Sequence, residues 1–153
     1  MVIPGDTSYA VRNLHWVEKN ALVVNDSNPL KCGEEGRRLV STGLNGVVVE
    51  WDIANRCIRN RLTVNVPIWH SEVRGKNLYM ACEDGSIRIA KIKKDSIVLI
   101  RSMSRAEVKC LSFCITSDEK YIIGGYEDSS IRKWNINNGN CELHFVKETK
   151  KSI

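Results

Sequence analysis

The sequence is short of the groups that do chemistry. Its three histidines, His15, His70 and His144, are far apart, and each falls in a stretch that reads as strand. It has no Gly-rich phosphate-binding loop and no nucleophile elbow. Cys110 and Cys114 lack a zinc-ribbon spacing, and no second pair accompanies them. In an extended strand, positions four apart share a face but stand about 13 Å from one another, too far to hold one metal ion. Catalysis, a cofactor, a metal and a small-molecule substrate therefore have no residues to carry them, and the chain reads as a non-enzyme. Long apolar runs are also missing. None approaches the roughly 18 residues of a membrane-spanning helix, and the opening MVIPGDTSYA has no apolar core of a secretory signal. Nor is there a convincing helical period. The six cysteines do not form a disulfide framework. Cys57, Cys82, Cys110 and Cys114 fall in predicted strands and Cys141 starts one, where a thiol acts as a small buried hydrophobe. That usage fits a reducing compartment, cytosol or nucleus.

What the sequence does contain is a repeat. In Ser41 to Asp52, STGLNGVVVEWD, an apolar strand enters a tight turn at Leu44-Asn45-Gly46 and leaves along a β-branched strand ending in Trp51-Asp52. Asn-Gly between two apolar runs predicts a hairpin with a type I′ turn, whose two central residues need φ > 0. Asp84-Gly85 heads the run SIRIAKI and Asp128-Ser129 heads SIRKWNI. Gly46 to Gly85 is 39 positions, Gly85 to Ser129 is 44, and Trp51 to Trp134 is 83, two steps of one period. That period is the roughly 40–45 residues of a WD40 propeller blade.

The predicted fold is all-β, with about three four-stranded blades forming an incomplete part of a larger propeller over residues 1–153. The blades are expected at 8–64, 66–103 and 106–147, with a charged tail at 148–153. Residues 1–7 read as a loop-like lead-in. Lys19 to Gly36 reads as a long polar connection holding at most a brief strand at Val23-Val24. Closed propellers have about four to eight blades. Three would leave two open faces and unpaired edges. Either the chain is part of a longer product, or several copies close a ring.

The strings RRLVSTGLNGVVVEWDI, PIWHSEV and YMACEDGSIRIAKI carry a more specific resemblance. From Ile3 to Phe145 the chain resembles the first propeller of the cirhin family, WD40-repeat subunits of the t-UTP (UtpA) subcomplex of the small-subunit processome. The likeness rests on the Gly-Leu-Asn-Gly turn, the Pro-Ile-Trp strand and the Cys-Glu-Asp-Gly turn. Pro4-Gly5 then matches the end of the family's first blade. The resemblance implies a nucleolar scaffold in small-subunit pre-rRNA processing, with processome WD40 proteins as partners and pre-rRNA reached through backbone contacts. A generic WD40 adaptor in signalling or ubiquitin ligation, with no RNA role, is the alternative.

In well-formed WD40 blades the turn Asp joins a hydrogen-bonded Asp-His-Ser/Thr-Trp network. Here Asn45 and Gly46 stand where sister repeats have Asp84, Gly85 and Asp128. Trp51 and Trp134 are kept, whereas Ala90 replaces the tryptophan of the second repeat, and the Gly-His pair is missing. These acids recur by architecture, and the blades should lean on apolar packing. Trp16, Trp51 and Trp69 are expected in the core.

The formal net charge is +5, which permits an RNA or an acidic protein partner. Basic residues cluster at Arg37-Arg38, at Arg56/Arg59/Arg61, at Lys91/Lys93/Lys94 and at Lys147/Lys150/Lys151. Each is either a solvated face or a source of phosphate contacts. Lys91, Lys93, Lys94, Arg37 and Arg38 are the candidate RNA or partner contacts.

Overall fold

A computed structural model describes residues 11–18 and 37–146. The lead-in, the Lys19 to Gly36 connection with Val23-Val24, and the charged tail with Lys147, Lys150 and Lys151 lie outside the described residues. Twelve strands form three antiparallel four-stranded sheets. The first holds β1 (Val11–Glu18), β2 (Arg37–Gly43), β3 (Val47–Asp52) and β4 (Cys57–Thr63). The second holds β5 (Ile68–Arg74), β6 (Asn77–Cys82), β7 (Ile87–Ile92) and β8 (Ile97–Ser102). The third holds β9 (Cys110–Ile115), β10 (Tyr121–Tyr126), β11 (Ser130–Asn135) and β12 (Cys141–Val146). Each sheet is a meander of sequence neighbours, so each is one propeller blade.

The chain buries two cores, one at each junction between blades. Between the first and second blades the packing is aliphatic: Val40, Val48, Ile68, Leu78, Met80, Ala90 and Ile92 are buried together. Between the second and third it is aromatic-rich, with Tyr79, Phe113, Tyr126 and Trp134 beside Ile87, Ile89 and Ile122. Ala90, standing where its sister repeats carry tryptophan, thus faces the aliphatic junction.

Every outer strand carries a bulge at the same place. Pairing slips between Glu50 and Trp51, between Ile89 and Ala90, and between Lys133 and Trp134. The extra residue is Arg59 in β4, Ile100 in β8 and Glu142 in β12. A bulge twists the strand and spoils the edge as a template for pairing.

Three expectations are corrected. The Leu44-Asn45-Gly46 turn between β2 and β3 is not type I′. Gly46 has φ +71°, but Asn45 is not at positive φ. Gly46 N–H donates to the Gly43 carbonyl at 3.1 Å. Gly85 (φ +79°) bonds Cys82 in the same way at 3.1 Å, and Ser129 (φ +64°) bonds Tyr126 at 3.0 Å. This is a three-residue turn whose last residue is left-handed, the other common way to close a hairpin. Trp16 is not core: it is 55% exposed, because its face of β1 looks away from the second blade. Finally, of the five cysteines among the described residues, only Cys82 and Cys110 are buried. Cys57 and Cys141 begin outer strands and Cys114 lies on the outward face of the third blade, so all three are exposed. The buried pair behave as expected of thiols in apolar surroundings. Burial pushes Cys82 up to about 12 and Cys110 up to about 11.

The propeller is open. On the first blade Leu14, Trp16 and Ile58 are exposed on one face, and on the third Ile131, Leu143 and Phe145 are. Cross-strand register joins the latter, with Ile131 opposite Phe145.

Candidate functional site

The repeated turn places its acids for structural work. Asn45 Oδ1 accepts the Val47 amide at 3.2 Å, Asp84 Oδ1 the Ser86 amide at 3.1 Å, and Asp128 Oδ1 the Ser130 amide at 2.9 Å. In the second and third blades the carboxylate also pairs with an arginine four residues on. Arg88 lies 2.8 Å from Asp84, and Arg132 lies 3.2 Å from Asp128. The first blade has neither charge, since Val49 stands where the arginine would be. Burial raises the Asp84 carboxyl, but the Ser86 bonds and the Arg88 guanidinium outweigh it and hold the group below its usual range. The Ser130 bonds, with Arg132 behind them, hold Asp128 low as well. A carboxylate tied this way is a poor proton acceptor.

The two glycines of these turns sit against the chain leaving their own blade. A Cβ on Gly46 would lie 2.8 Å from the Val66 amide nitrogen and carbonyl oxygen. One on Gly85 would overlap the carbonyl oxygens of Ala106 and Val108. Ser129 is exposed, which is why a side chain is tolerated there despite its left-handed φ. The tryptophan bonds survive in altered form. Trp51 Nε1 donates to Ser41 Oγ at 2.8 Å, and Trp134 Nε1 donates to Tyr126 Oη at 2.8 Å. Asp52, the acid of the Trp-Asp ending, accepts from the Asn55 amide at 2.9 Å and caps the next turn.

Besides the Arg12 Nε bond to the Trp69 carbonyl at 2.7 Å, two polar networks cross the first junction. His15 Nε2 lies 2.7 Å from Ser71 Oγ, which is 2.8 Å from Thr42 Oγ1. Burial, followed by the charge of His70, holds His15 below the usual imidazole range, so it sits there neutral. The second link is a buried charge. Glu50 is fully buried, accepts from the Asn60 amide at 2.6 Å, and is paired with Arg38, while Arg59 stands 3.8 Å away. Burial raises the Glu50 carboxyl, but the bonds from Arg38 and Asn60 outweigh it and the carboxyl is held below its usual range. Arg38 Nη1 then reaches the second blade and donates to the Lys93 carbonyl at 2.6 Å.

That last bond decides how the basic clusters lie. Arg38 and Lys93, from clusters far apart in sequence, meet where the start of β2 adjoins the turn between β7 and β8. Arg38 is committed to the blade junction, its side chain only 16% exposed. For Arg37 only the strand position is described, next to Arg38 at the start of β2. Lys93 and Lys94 occupy the exposed turn between β7 and β8, and Lys91 is exposed on β7. None of these three lysines makes an ion pair among the described residues. Arg59 shares Glu50 with Arg38, and Arg56 is exposed in the turn between β3 and β4. Sequence reasoning missed Glu50. The one signal for it was a lone acid inside the apolar strand VVVEWD.

Trp51 is half-buried, and Trp69 is half-buried between cations. The Arg12 guanidinium is 4.9 Å from its ring centroid and Lys109 Nζ 5.8 Å. Among the described residues no group of three or more potential metal ligands converges, and no helix is long and apolar enough to cross a membrane.

Three meander blades in series, each closed by the same left-handed turn and each bulged opposite its Trp or Ala position, make this a WD40 β-propeller fold. Solved structures agree on the fold. The C-terminal WD40 domain of Sif2 matches with a TM-score of 0.55 at 19% identity, over 63% of this chain and 30% of that one. The Cps50 (Swd1) β-propeller domain of Myceliophteria thermophila matches at 0.64 and 12% identity, over 71% and 37%. More particularly, the sequence is similar to the human U3 small nucleolar RNA-associated protein 4 homolog, with 33% identity over 100 residues, 63% of this chain and 15% of that protein. The mouse homolog is 34% identical over 86 residues, covering 54% of this chain and 12% of its own length. U3 small nucleolar RNA-associated protein 4 of Saccharomyces cerevisiae is 28% identical over an alignment of 159 positions, covering 98% and 19%. The chain thus spans less than a fifth of each relative it matches. No family model matches it.

Proposed function

We propose that this chain is part of a cirhin-like, non-enzymatic WD40 scaffold subunit that works in small-subunit pre-rRNA processing in the nucleolus. The observation that carries the reading is the 28–34% identity to three proteins named for association with U3 small nucleolar RNA. The geometry supports it in two ways. The open faces at Leu14/Trp16/Ile58 and Ile131/Leu143/Phe145 suit further blades of one ring. The Lys93-Lys94 turn projects two exposed lysines that make no ion pair among the described residues, as contacts to an RNA backbone require. Partners are other propeller proteins of the processome, with pre-rRNA touched through its phosphates.

The test is affinity purification of the full-length protein from cells. Recovery of pre-rRNA with nucleolar proteins is expected. Recovery of ligase or signalling partners without RNA would replace the reading with a general adaptor. Lys93→Glu with Lys94→Glu should weaken RNA association and flatten its dependence on salt. Arg38→Glu is not an equivalent probe, because that residue holds Glu50.

A further inference from the structure

Most exposed apolar side chains of this structure lie on the two open faces, where another blade would cover them. One group does not. Val98, Leu99 and Ile100 are 37%, 39% and 52% exposed on β8, the outer strand of the middle blade. That blade already has a neighbour on each side, so closing the ring leaves these residues bare. The homologous positions show the contrast. At the bulge, the first blade has Arg59 and the third Glu142, charges of the kind that blunt an edge. Only the second blade has an apolar residue there, Ile100. Its outer edge has no strand partner among the described residues.

Ile100 also borders a cleft of about 280 Å³ between the second and third blades, lined by Asn77, Tyr79, Ile89, Arg101, Ile136 and Asn137. Arg101 bridges its mouth by donating to the Ile136 and Asn137 carbonyls. Those acceptors are neutral, so the guanidinium charge is not cancelled. Lys91, in register with Val98, adds a second unpaired cation along this side, and Lys93 and Lys94 follow at the strand's start. The single acid of that turn is Asp95. The bulge spoils pairing at Ile100 itself, but Ile97 to Leu99 before it are in regular register with β7 and keep an unpaired edge for main-chain bonds, while the cleft beside Ile100 admits a side chain and the flanking cations select negative charge.

We propose that β8 is a docking edge for an extended peptide strand of a partner protein, one alternating apolar with acidic residues and seating an apolar side chain beside Ile100. This goes beyond the ribosome-biogenesis reading and does not depend on it.

The probe is a fluorescein-labelled peptide, Asp-Val-Asp-Ile-Asp-Val, titrated into the full-length protein and followed by anisotropy. Saturable binding is expected, with slowed amide exchange across β8. Replacing the peptide's Ile by Pro, or its Asp residues by Lys, should weaken binding by about tenfold or more. Ile100→Arg should do the same, and the fold tolerates it because Arg59 holds the equivalent place in the first blade. Four results would each overturn the proposal. These are no binding, equal binding of the Pro peptide, binding unchanged by Ile100→Arg, or a protein dimer that Ile100→Arg abolishes. The last would make a second copy the occupant. A loss of RNA rather than peptide binding in Ile100→Arg would also overturn it, by assigning the edge to nucleic acid.

Discussion

The two blade junctions solve one problem by different chemistry. The first joins aliphatic side chains and then spans the gap with polar groups: Glu50, Arg38 and the Lys93 carbonyl, and His15 with Ser71 and Thr42. The second is filled with rings. His70 meets Phe113 edge-on with centroids 4.9 Å apart, and Trp134 bonds Tyr126. Where a blade keeps its large aromatic at the junction, rings fill the buried space and the polar links, Arg101 to the Ile136 and Asn137 carbonyls and Lys109 to Glu83, stay at the more exposed rim. Where Ala90 replaces it, a buried ion pair and a chain of hydroxyls fix the register. Such a pair adds specificity of fit more readily than stability, and losing one partner is costly.

The largest effects should come from cutting each junction at its centre. Glu50→Ala leaves the Arg38 guanidinium and Asn60 amide unpaired and should cost about 3–5 kcal/mol of local stability. Phe113→Ala should cost about 3–5 kcal/mol by leaving a cavity. Amide exchange in β2 and β3 reports the first, and in β9 and β10 the second. If either variant loosens both junctions equally, the contrast fails.

pH separates the two through Glu50. Glu50 is held below its ordinary value of 4.5. Its contribution is therefore complete above pH 4.5 and is lost as pH falls through the depressed folded value. His15, held below 6.5, adds a loss that accrues as pH falls below 6.5, because the unfolded chain takes up the proton first. His70, packed on Phe113 in the second junction, is held below 6.5 by burial as well, so both junctions loosen below pH 6.5 and the Glu50 part below pH 4.5 should set β2 and β3 apart from β9 and β10. Glu50→Gln should remove the part below pH 4.5 and leave the part nearer 6.5.

Smaller effects come from the turns. Gly85→Ala adds backbone overlap to left-handed strain, so it should exceed the roughly 1–2 kcal/mol of strain alone. Gly75→Ala carries only the strain, as its φ of +55° faces open space. Unfolding of the two variants by urea compares them. Ser129→Gly should stabilise the third blade by up to about 1 kcal/mol by relieving a left-handed serine, read as slower exchange at Ser130.

Much of this fold was legible. Turn chemistry and a fixed period placed the three repeats and their turns. Alternation said less about faces, because blades bury both sides, and so Trp16 was misplaced. Asn-Gly gave the position of the turn but not its type, since a glycine at the end of a three-residue turn leaves the same dipeptide in view. The basic candidates were visible as charge. That Arg38 is a buried clamp and Lys93 an open turn depends on which blades adjoin, and no local pattern carries that.

The links across the first junction have a consequence for how the protein is made. His15 to Ser71 and Arg38 to Lys93 span 56 and 55 residues, little more than one blade. Each link therefore becomes available as soon as the next blade has been synthesised, without waiting for the ring to close. Nearest-neighbour contacts of this length keep loop-closure costs low. A growing chain can then lock its blades one after another, in the order in which it leaves the ribosome.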